Sequence, residues 1–293
     1  MNIKKWIEEN TSDLANKTIA ITGSTGGLLN EAVKILASLN ANLILINRNK
    51  NKTQQQIEQL KSLHPNISID FVECDLSNFE SVKIAIKTLK QKTIDILFLG
   101  AGIYNVPKVQ TVTGFNNIFQ TNFVSHYYLV KQLLPNLNKR NGKVVAVSSI
   151  AYNYSKIDEN DIDFNNQTKP SKIYGNSKRF LTFSLIELMK NQNTTLSIVH
   201  PGVTLTEMTN HYPKAINWLV KIGIKLFFPT PKQATLSLIK GIFNSTYNLE
   251  WIGPKIFSVW GKPKKQKIKK ISKLESEKIF NIAENIYKEL NKK

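Results

Sequence analysis

Residues 17–39 are KTIAITGSTGGLLNEAVKILASL, and this stretch decides the fold. Residues 17–22 are mostly apolar or β-branched and predict a buried strand that stops at Gly23. Apolar residues then recur at helical spacing, at positions 28, 29, 32, 33, 35, 36 and 39. A glycine-rich turn in this place lets the backbone approach a pyrophosphate at the start of the helix. A plain tight turn is the alternative that this stretch alone leaves open.

The same alternation of strand and helix continues along the chain. Further strands are predicted at 42–46, 68–73, 94–99, 143–148 and 196–199. Helices are predicted at 52–63, 78–90, 116–138 and 174–190. Because short apolar strands that alternate with helices are typical of a parallel sheet covered on both faces, we expect a single α/β domain.

The two ends of the chain differ from this central part. Residues 1–16 predict a short N-terminal helical extension, and the domain is expected to span 17–260. Residues 261–293 form a lysine-rich tail, in which 274–290 has the pattern of an amphipathic helix. The last 32 residues hold 11 lysines and 4 acidic residues, a net charge of +7. Nucleic-acid binding through this tail stays open as one alternative.

Composition excludes several classes of protein. At 41% hydrophobic residues, the chain of 293 residues can bury a substantial core, unlike a disordered chain. The single cysteine, Cys74, cannot form an internal disulfide, and we see neither a signal peptide nor a membrane-spanning apolar run, so we expect a cytoplasmic protein. The formal charge of +19 fits a general bias towards lysine, asparagine and isoleucine. No zinc-finger spacing or basic heptad occurs, so no nucleic-acid partner is expected.

Two pairs of polar side chains indicate chemistry. Tyr174 and Lys178 are four residues apart on a predicted helix and therefore share one face. A nearby ammonium favours a phenolate, so this pair could exchange a proton near neutral pH. Ser148 and Ser149 end a predicted strand, where parallel sheets bind ligands, although they could equally begin a turn. The four histidines have no metal-like spacing, and no metal site is expected.

Seven motifs occur in order between residues 14 and 210. They are TGSTGG at 22–27, CDL at 74–76, GAG at 100–102, Asn122 within QTNFVSHYYL, SSIA at 148–151, YGNSK at 174–178 and HPGVTLT at 200–206. In this order they resemble the short-chain dehydrogenase/reductase family, most closely its retinol-dehydrogenase-like branch. The resemblance implies a Rossmann-like, doubly wound parallel sheet with helices on both faces. It also implies an NAD(P)(H)-dependent oxidoreductase that interconverts a carbonyl and an alcohol.

The resemblance assigns a role to four side chains. Tyr174 would be the general acid/base, and Lys178 would bind the nicotinamide ribose and lower the pKa of Tyr174. Ser149, rather than Ser148, would hold the substrate oxygen. Asn122 would order a water-linked proton relay.

Cofactor contacts are also implied by the resemblance. They fall at Gly23, Ser24, Thr25, Gly27, Arg48, Asp75, Ala101, Gly102, Tyr174, Lys178, Pro201, Gly202 and Thr206. Asp75 matches an adenine contact and Thr206 a contact to the nicotinamide carboxamide. The second strand ends in NRNK at 47–50, without the acid that holds the ribose 2′-hydroxyl in NAD enzymes. NADP(H) is therefore the preferred cofactor, with NAD(H) as the alternative if Arg48 is only a surface residue.

Two positions depart from the family pattern. Leu29 replaces the third glycine of the cofactor turn, which puts cofactor affinity in doubt. Residues 99–102 are LGAG where the family has Asn-Asn-Ala-Gly, so an asparagine that supports the central strand is lost. These departures keep open a rival of another class, a catalytically weakened NADP(H)-binding sensor or scaffold protein. The intact catalytic residues favour the enzyme.

The family places its variable substrate loop after the Pro-Gly motif, here at about 207–230. Large apolar residues between Ile216 and Phe228 predict an apolar carbonyl or alcohol as the substrate. Lysines among them leave open a second role, in which the segment lies on an anionic membrane surface and the protein is peripheral to the membrane. Assembly into a homo-oligomer also stays open.

Overall fold

The computed structural model describes residues 2–202, 230–246, 249–256, 258–269 and 271–292. Thr206 and nearly all of the expected substrate loop lie outside these residues. None of the helices in the described ranges is both long and apolar enough to cross a membrane.

Short apolar segments form the central sheet, as the sequence predicts. In the described residues the strands are β1 (Thr18–Thr22), β2 (Asn42–Asn47), β3 (Ile69–Glu73), β4 (Ile96–Leu99), β5 (Lys143–Val147), β6 (Thr195–Val199), β7 (Glu250–Ile256) and β8 (Trp260–Lys267). Their order across the sheet is β3-β2-β1-β4-β5-β6-β7-β8. Neighbouring strands from β3 to β7 are parallel, and β8 pairs antiparallel to β7 at the edge. Because β1 lies between β2 and β4, the chain reverses direction across the sheet here, at the switch point where open α/β sheets bind ligands.

Helices cover both faces of this sheet. Those in the described residues are α1 (Ile3–Asn10), α2 (Gly27–Ser38), α3 (Lys50–Leu63), α4 (Phe79–Leu89), α5 (Asn117–Phe119), α6 (Ser125–Lys139), α7 (Pro170–Leu188), α8 (Pro231–Phe243) and α9 (Lys273–Lys292). A π-helical turn, Gln120–Val124, joins α5 to α6, and a 3-10 turn, Ile150–Tyr154, follows β5.

Side chains that alternate along each strand enter two separate cores. On β1, Ile19 and Ile21 pack with residues of α1, α2, α3 and α8. Ala20 points the other way and packs with residues of α4, α6, α7 and α9. The alternation follows from the period of two along a strand, and the predicted doubly wound sheet with helices on both faces is confirmed.

The C-terminal part contains three elements that were not predicted from the sequence. The sequence predicts a helix at 274–290 within the lysine-rich tail 261–293 and no strand before it, but residues 260–267 form the edge strand β8. Its sequence, WGKPKKQK, has little apolar alternation and therefore gives no strand signal. The strand is held by backbone pairing with β7 at the edge of the sheet, and most of its side chains are exposed. Helix α8 and strand β7 were not predicted either.

Helix α9 is packed onto the domain. Its buried face, including Ile279 and Ala283, joins the core beside α6 and α7. The Arg179 guanidinium on α7 contacts the Glu275 carboxylate at 2.6 Å, across a separation of 96 residues. Glu284 accepts a hydrogen bond from the Tyr127 hydroxyl at 2.5 Å. Two of the tail's acidic side chains therefore face the domain.

Candidate active site

Two turns meet at the switch point of the sheet, one after β1 (residues 23–27, the β1 turn) and one after β4 (residues 100–102, the β4 turn). Gly23 has φ +75°, and a Cβ there would lie 2.7 Å from the Cα of Ala101. Glycine alone provides both that backbone conformation and that close approach. The residues predicted for the cofactor site from these two turns are therefore brought together.

Thr22, the last residue of β1, holds the β4 turn. Its hydroxyl oxygen accepts hydrogen bonds from the backbone N–H groups of Gly100 at 3.0 Å and Ala101 at 3.2 Å. Both donors lie within residues 99–102, where the family pattern has an asparagine that this chain lacks. Because Thr22 directly precedes the β1 turn, these two hydrogen bonds connect the β1 turn to the β4 turn.

The two departures from the family pattern lie against each other. A Cβ on Gly100 would lie 2.7 Å from Cδ1 of Leu29, closer than carbon atoms can approach. The Leu29 side chain is buried against the sheet, and the missing side chain at Gly100 gives it room. A large residue at 29 and a glycine at 100 therefore compensate for each other sterically.

The N-terminus of α2 is open to an anion. Its N-cap, Gly26, makes no side-chain capping bond, and no acidic residue lies in the first turn. A Cβ on Gly27 would have no neighbour within 4 Å. Uncapped N–H groups and the positive end of the helix dipole favour a phosphate here, so this end of the helix fits the pyrophosphate of a dinucleotide.

Ser24 was predicted to contact the cofactor, but its side chain points into the protein and not towards the open side of the β1 turn. Its buried hydroxyl donates to Oε1 of Gln56 at 2.7 Å and accepts from Nδ2 of Asn47, also at 2.7 Å. The backbone carbonyl oxygen of Ser24 also accepts a hydrogen bond, from Nε2 of Gln56 at 2.9 Å. Asn47 Oδ1 is buried and finds no hydrogen-bond donor among the described residues.

Arg48 and Asp75 follow neighbouring strands at the same edge of the sheet. Arg48 is exposed at the end of β2 and pairs with no carboxylate in the described part of the chain. Asp75 Oδ1 accepts from the backbone N–H of Ser77 at 2.9 Å and from its hydroxyl at 2.7 Å, which fixes the turn after β3. Arg48 is therefore free to meet an anionic group beside β2.

Tyr174, Lys178 and Ser149 are brought together as the sequence predicts. Helix α7 begins at Pro170, so Tyr174 and Lys178 lie one turn apart within it, and Lys178 Nζ lies 5.6 Å from the centre of the Tyr174 ring. Ser149 lies close enough to the Tyr174 hydroxyl to lower its pKa. The Ser148 hydroxyl instead bonds to that of Thr182 at 2.7 Å, which leaves Ser149 as the serine that faces the tyrosine.

Burial controls the protonation of this pair. It raises the pKa of Tyr174 above its usual range, Ser149 offsets part of that rise, and Tyr104 adds to it. Lys178 donates to the backbone carbonyl of Val147 at 2.8 Å, and burial lowers its pKa to about 8. The expected lowering of the Tyr174 pKa by Lys178 is not seen: burial is the largest cause of the shift and raises the pKa, and Lys178 is not among its causes.

Asn122 lies in the π-helical turn, and its side chain is fully engaged. Oδ1 accepts from the N–H of Ile103 at 2.8 Å, and Nδ2 donates to the carbonyl of Ile103 and the hydroxyl of Ser177, each at 3.0 Å. A Cβ on Gly102 would lie 3.4 Å from Asn122 Oδ1 and 3.5 Å from Lys178 Nζ. The structure therefore joins Gly102, Asn122 and Lys178 at one point.

Pro201 and Gly202 follow β6 at the same edge. Gly202 has φ +88°, and a Cβ there would lie 2.5 Å from the carbonyl oxygen of Val259 in the β7–β8 hairpin. His200 contacts the Ser258 carbonyl through Nε2 at 3.0 Å and stacks on Trp251. Burial lowers the pKa of His200 to about 4, so this histidine supports the hairpin as a neutral ring.

Sequence reasoning missed two neighbours of these residues. The ring of Tyr104 meets that of Tyr174 edge to face, with 5.2 Å between their centres. His126 lies beneath the site and contacts Thr22. Tyr104 is the second residue after the GAG motif, and His126 is an ionisable residue in the apolar run FVSHYYL, so there was reason in the sequence to consider both positions.

Comparisons with known proteins agree with this arrangement. A family model described as short chain dehydrogenase matches residues 17–217. Polyprenol dehydrogenase of Homo sapiens is 27% identical over 81% of this chain and 75% of its own length. Retinol dehydrogenase 14 of Homo sapiens is 27% identical over 76% of this chain and 73% of its own.

Solved structures show the same fold. That of an uncharacterised protein from Mycobacterium paratuberculosis has a TM-score of 0.72 at 23% identity, over 97% of this chain and 96% of its own. A short-chain dehydrogenase from Sphingobium yanoikuyae, in complex with NADPH, has a TM-score of 0.58 at 19% identity over 76% of this chain and 83% of its own.

Proposed function

This chain belongs to the short-chain dehydrogenase family, in its retinol-dehydrogenase-like branch, and we propose that it uses NADP(H) to interconvert an apolar carbonyl and alcohol. One observation carries the proposal. Tyr174, Ser149, Lys178 and Asn122 converge at the carboxyl edge of the sheet, beside two glycine turns that fit a dinucleotide.

The residues present fit the cofactor at both ends. The open N-terminus of α2 would hold the pyrophosphate, and Arg48 and Asp75 would contact the adenosine half. Gly102 leaves room beside Lys178, which would bind the nicotinamide ribose. When bound, NADP(H) supplies or accepts the hydride.

The side chains around Tyr174 would move the proton. In carbonyl reduction, Tyr174 donates its hydroxyl proton to the substrate oxygen while the Ser149 hydroxyl holds that oxygen by a hydrogen bond. The raised pKa keeps Tyr174 protonated at neutral pH, as a proton donor must be. Lys178 places a positive charge beside the phenolate that forms, and Asn122 holds Ile103 and Ser177 next to it.

Arg48 supports a preference for NADP(H) over NAD(H). Its guanidinium is exposed and unpaired by any carboxylate in the described residues, and a planar fork of donors suits a 2′-phosphate. The neighbouring Asn47 carries no negative charge that would repel one. NAD(H) is the alternative if Arg48 does not reach the ribose.

An apolar substrate is supported by the apolar composition of residues 216–228 and by the relatives named for polyprenol and retinol. Tyr104 would supply an apolar wall next to Tyr174.

Peripheral contact with an anionic membrane is a second proposal. It is favoured by β8, an edge strand that exposes Lys262, Lys264 and Lys267.

The test of the proposed function is Tyr174→Phe, measured on a panel of ketones, aldehydes and alcohols with each cofactor. We expect turnover to fall by roughly 10²–10⁴-fold while NADPH affinity is kept. Tyr154→Phe, at a tyrosine 53% exposed, is the matched control and should keep full activity. Wild-type turnover in Tyr174→Phe would contradict the mechanism. NADPH binding by the wild type without turnover on any substrate would favour the sensor or scaffold.

A further inference from the structure

His126 is a fully buried histidine at the start of α6, directly after the π-helical turn. Its Nε2 lies 3.0 Å from the hydroxyl oxygen of Thr22. Its Nδ1 lies 3.3 Å from the backbone carbonyl oxygen of Asn122. The imidazole ring therefore links Thr22, which holds the β4 turn, to the backbone carbonyl of Asn122 in the π-helical turn.

The hydrogen bonds around Thr22 determine which nitrogen carries the proton. A threonine hydroxyl has one hydrogen and two acceptor positions. The N–H groups of Gly100 and Ala101 occupy both acceptor positions. The hydroxyl hydrogen is left to donate, and His126 Nε2 at 3.0 Å is a closer acceptor than the carbonyl oxygen of Phe98 at 3.5 Å.

It follows that Nε2 accepts and that the neutral ring carries its hydrogen on Nδ1. That hydrogen then points at the carbonyl oxygen of Asn122. The opposite tautomer would place an N–H against a hydroxyl that has no acceptor position left, and Nδ1 would face a carbonyl with no hydrogen between them. Burial, with Lys178 as the nearby cation, lowers the pKa of His126 to about 3, which agrees with a neutral ring.

We infer that His126 is a positioning residue for the proposed reaction, held as the neutral Nδ1–H tautomer between Thr22 and the carbonyl of Asn122. It sets the distance between the β4 turn, which would face the nicotinamide half of the cofactor, and the π-helical turn that carries Asn122. Gly102, Asn122 and Lys178 meet between these two turns, so a shift of either changes the surroundings of Lys178. The role in turnover rests on the proposed function, whereas the tautomer does not.

The tautomer is tested on the wild-type protein by NMR. Long-range ¹H–¹⁵N correlations of the imidazoles distinguish a protonated Nδ1 from a protonated Nε2, and the His126 signals are those absent from the spectrum of His126→Asn. We expect the Nδ1–H pattern, unchanged from pH 8 to pH 5. An Nε2–H pattern, or titration near the ordinary value of about 6.5, would overturn the inference. This measurement needs no substrate, so it stands apart from failure of the proposed function.

Two variants separate the two contacts in kinetics. His126→Asn keeps a donor at the Nδ1 position and loses Thr22, whereas His126→Gln keeps an acceptor at the Nε2 position and loses the carbonyl of Asn122. Since one hydrogen bond contributes about 3- to 10-fold, we expect His126→Asn to weaken NADPH binding by that factor with kcat largely kept. His126→Gln should lower kcat by a similar factor with NADPH affinity largely kept. Equal losses of both parameters in both variants would show a merely structural role and would overturn the assignment.

Discussion

Gly100→Ala tests the steric match between the β4 turn and α2. The added methyl carbon would lie 2.7 Å from Leu29 Cδ1 and 2.8 Å from its Cγ, against an ordinary carbon–carbon contact of about 3.5–4.0 Å. Leu29 is 6% exposed and packed between α2 and the sheet, so it has little freedom to retreat. We expect the free energy of unfolding to fall by about 1–3 kcal/mol, as in other overpacked cores.

Leu29 and Gly100 can be tested together in a double-mutant cycle. Leu29→Ala alone removes buried carbon atoms and should cost about 2–5 kcal/mol. In the double variant the methyl group added by Gly100→Ala occupies part of the space that Leu29 leaves. The double variant should therefore be more stable than the sum of the single losses predicts, by about 1–2 kcal/mol. Rescue is incomplete because the same methyl lies 3.0 Å from the Thr22 carbonyl oxygen, which neither change relieves.

Urea unfolding of the four proteins gives the coupling energy. Gly27→Ala is the matched control, because a Cβ there has no neighbour within 4 Å, and its stability should equal or slightly exceed that of the wild type. Additive losses in the cycle would refute the argument that Leu29 and Gly100 compensate for each other. So would a Gly100→Ala protein within roughly 0.5 kcal/mol of the wild type, the usual range for surface substitutions.

Four further predictions concern cofactor, pH, the C-terminal helix and the membrane. Arg48→Ala should weaken the binding of NADPH by roughly 10–100-fold and leave the binding of NADH unchanged. Equal affinities of the wild-type protein for NADPH and NADH would contradict the proposed role of Arg48. Because the pKa of Tyr174 is raised, alcohol oxidation, which needs the phenolate, should accelerate about tenfold per pH unit from pH 6 to pH 7, below the pKa of about 8 at which Lys178 loses its charge, while carbonyl reduction stays level over the same range; a level oxidation profile there would argue against Tyr174 as the base. Glu275→Gln deprives the buried Arg179 guanidinium of its carboxylate and should lower the unfolding free energy by about 1–3 kcal/mol in urea titrations. If β8 binds an anionic membrane, the protein should sediment with anionic but not neutral vesicles at low salt. Each replacement of a lysine within 262–267 by glutamine should then weaken the free energy of vesicle binding by about 1 kcal/mol.

The sheet was predictable because its strands are apolar on both faces. Segments such as 43–46 have no polar face that could be mistaken for a surface helix. The order of the strands across the sheet, which puts the switch point next to β1, was implied by the resemblance to the family and not by the strands themselves. The edge strand β8 lacks that signal, since backbone pairing with β7 holds a sequence whose side chains mostly face water. Helix α9, with one apolar face, was predicted close to its observed bounds.

Within the site, residue identity was predictable and orientation was not. The spacing of Tyr174 and Lys178 is local and survives folding unchanged. The inward turn of Ser24 depends on Gln56, 32 residues away, and no local pattern shows which hydroxyl finds a buried partner. The raised pKa of Tyr174 likewise depends on how deeply neighbouring elements bury its hydroxyl.

The docking of α9 has a consequence for the order of events during synthesis. Helix α7, which carries Tyr174 and Lys178, has its outer face covered by residues 273–292, and the Arg179–Glu275 pair closes across 96 residues of intervening chain. A nascent chain that has just released α7 from the ribosome thus holds an unpaired guanidinium and a bare apolar face. At about 5–20 residues per second, that interval lasts roughly 5–20 s. During it, the surface of α7 behind Tyr174 is available to chaperones or to misassembly, and it is covered only when residues 273–292 have been made.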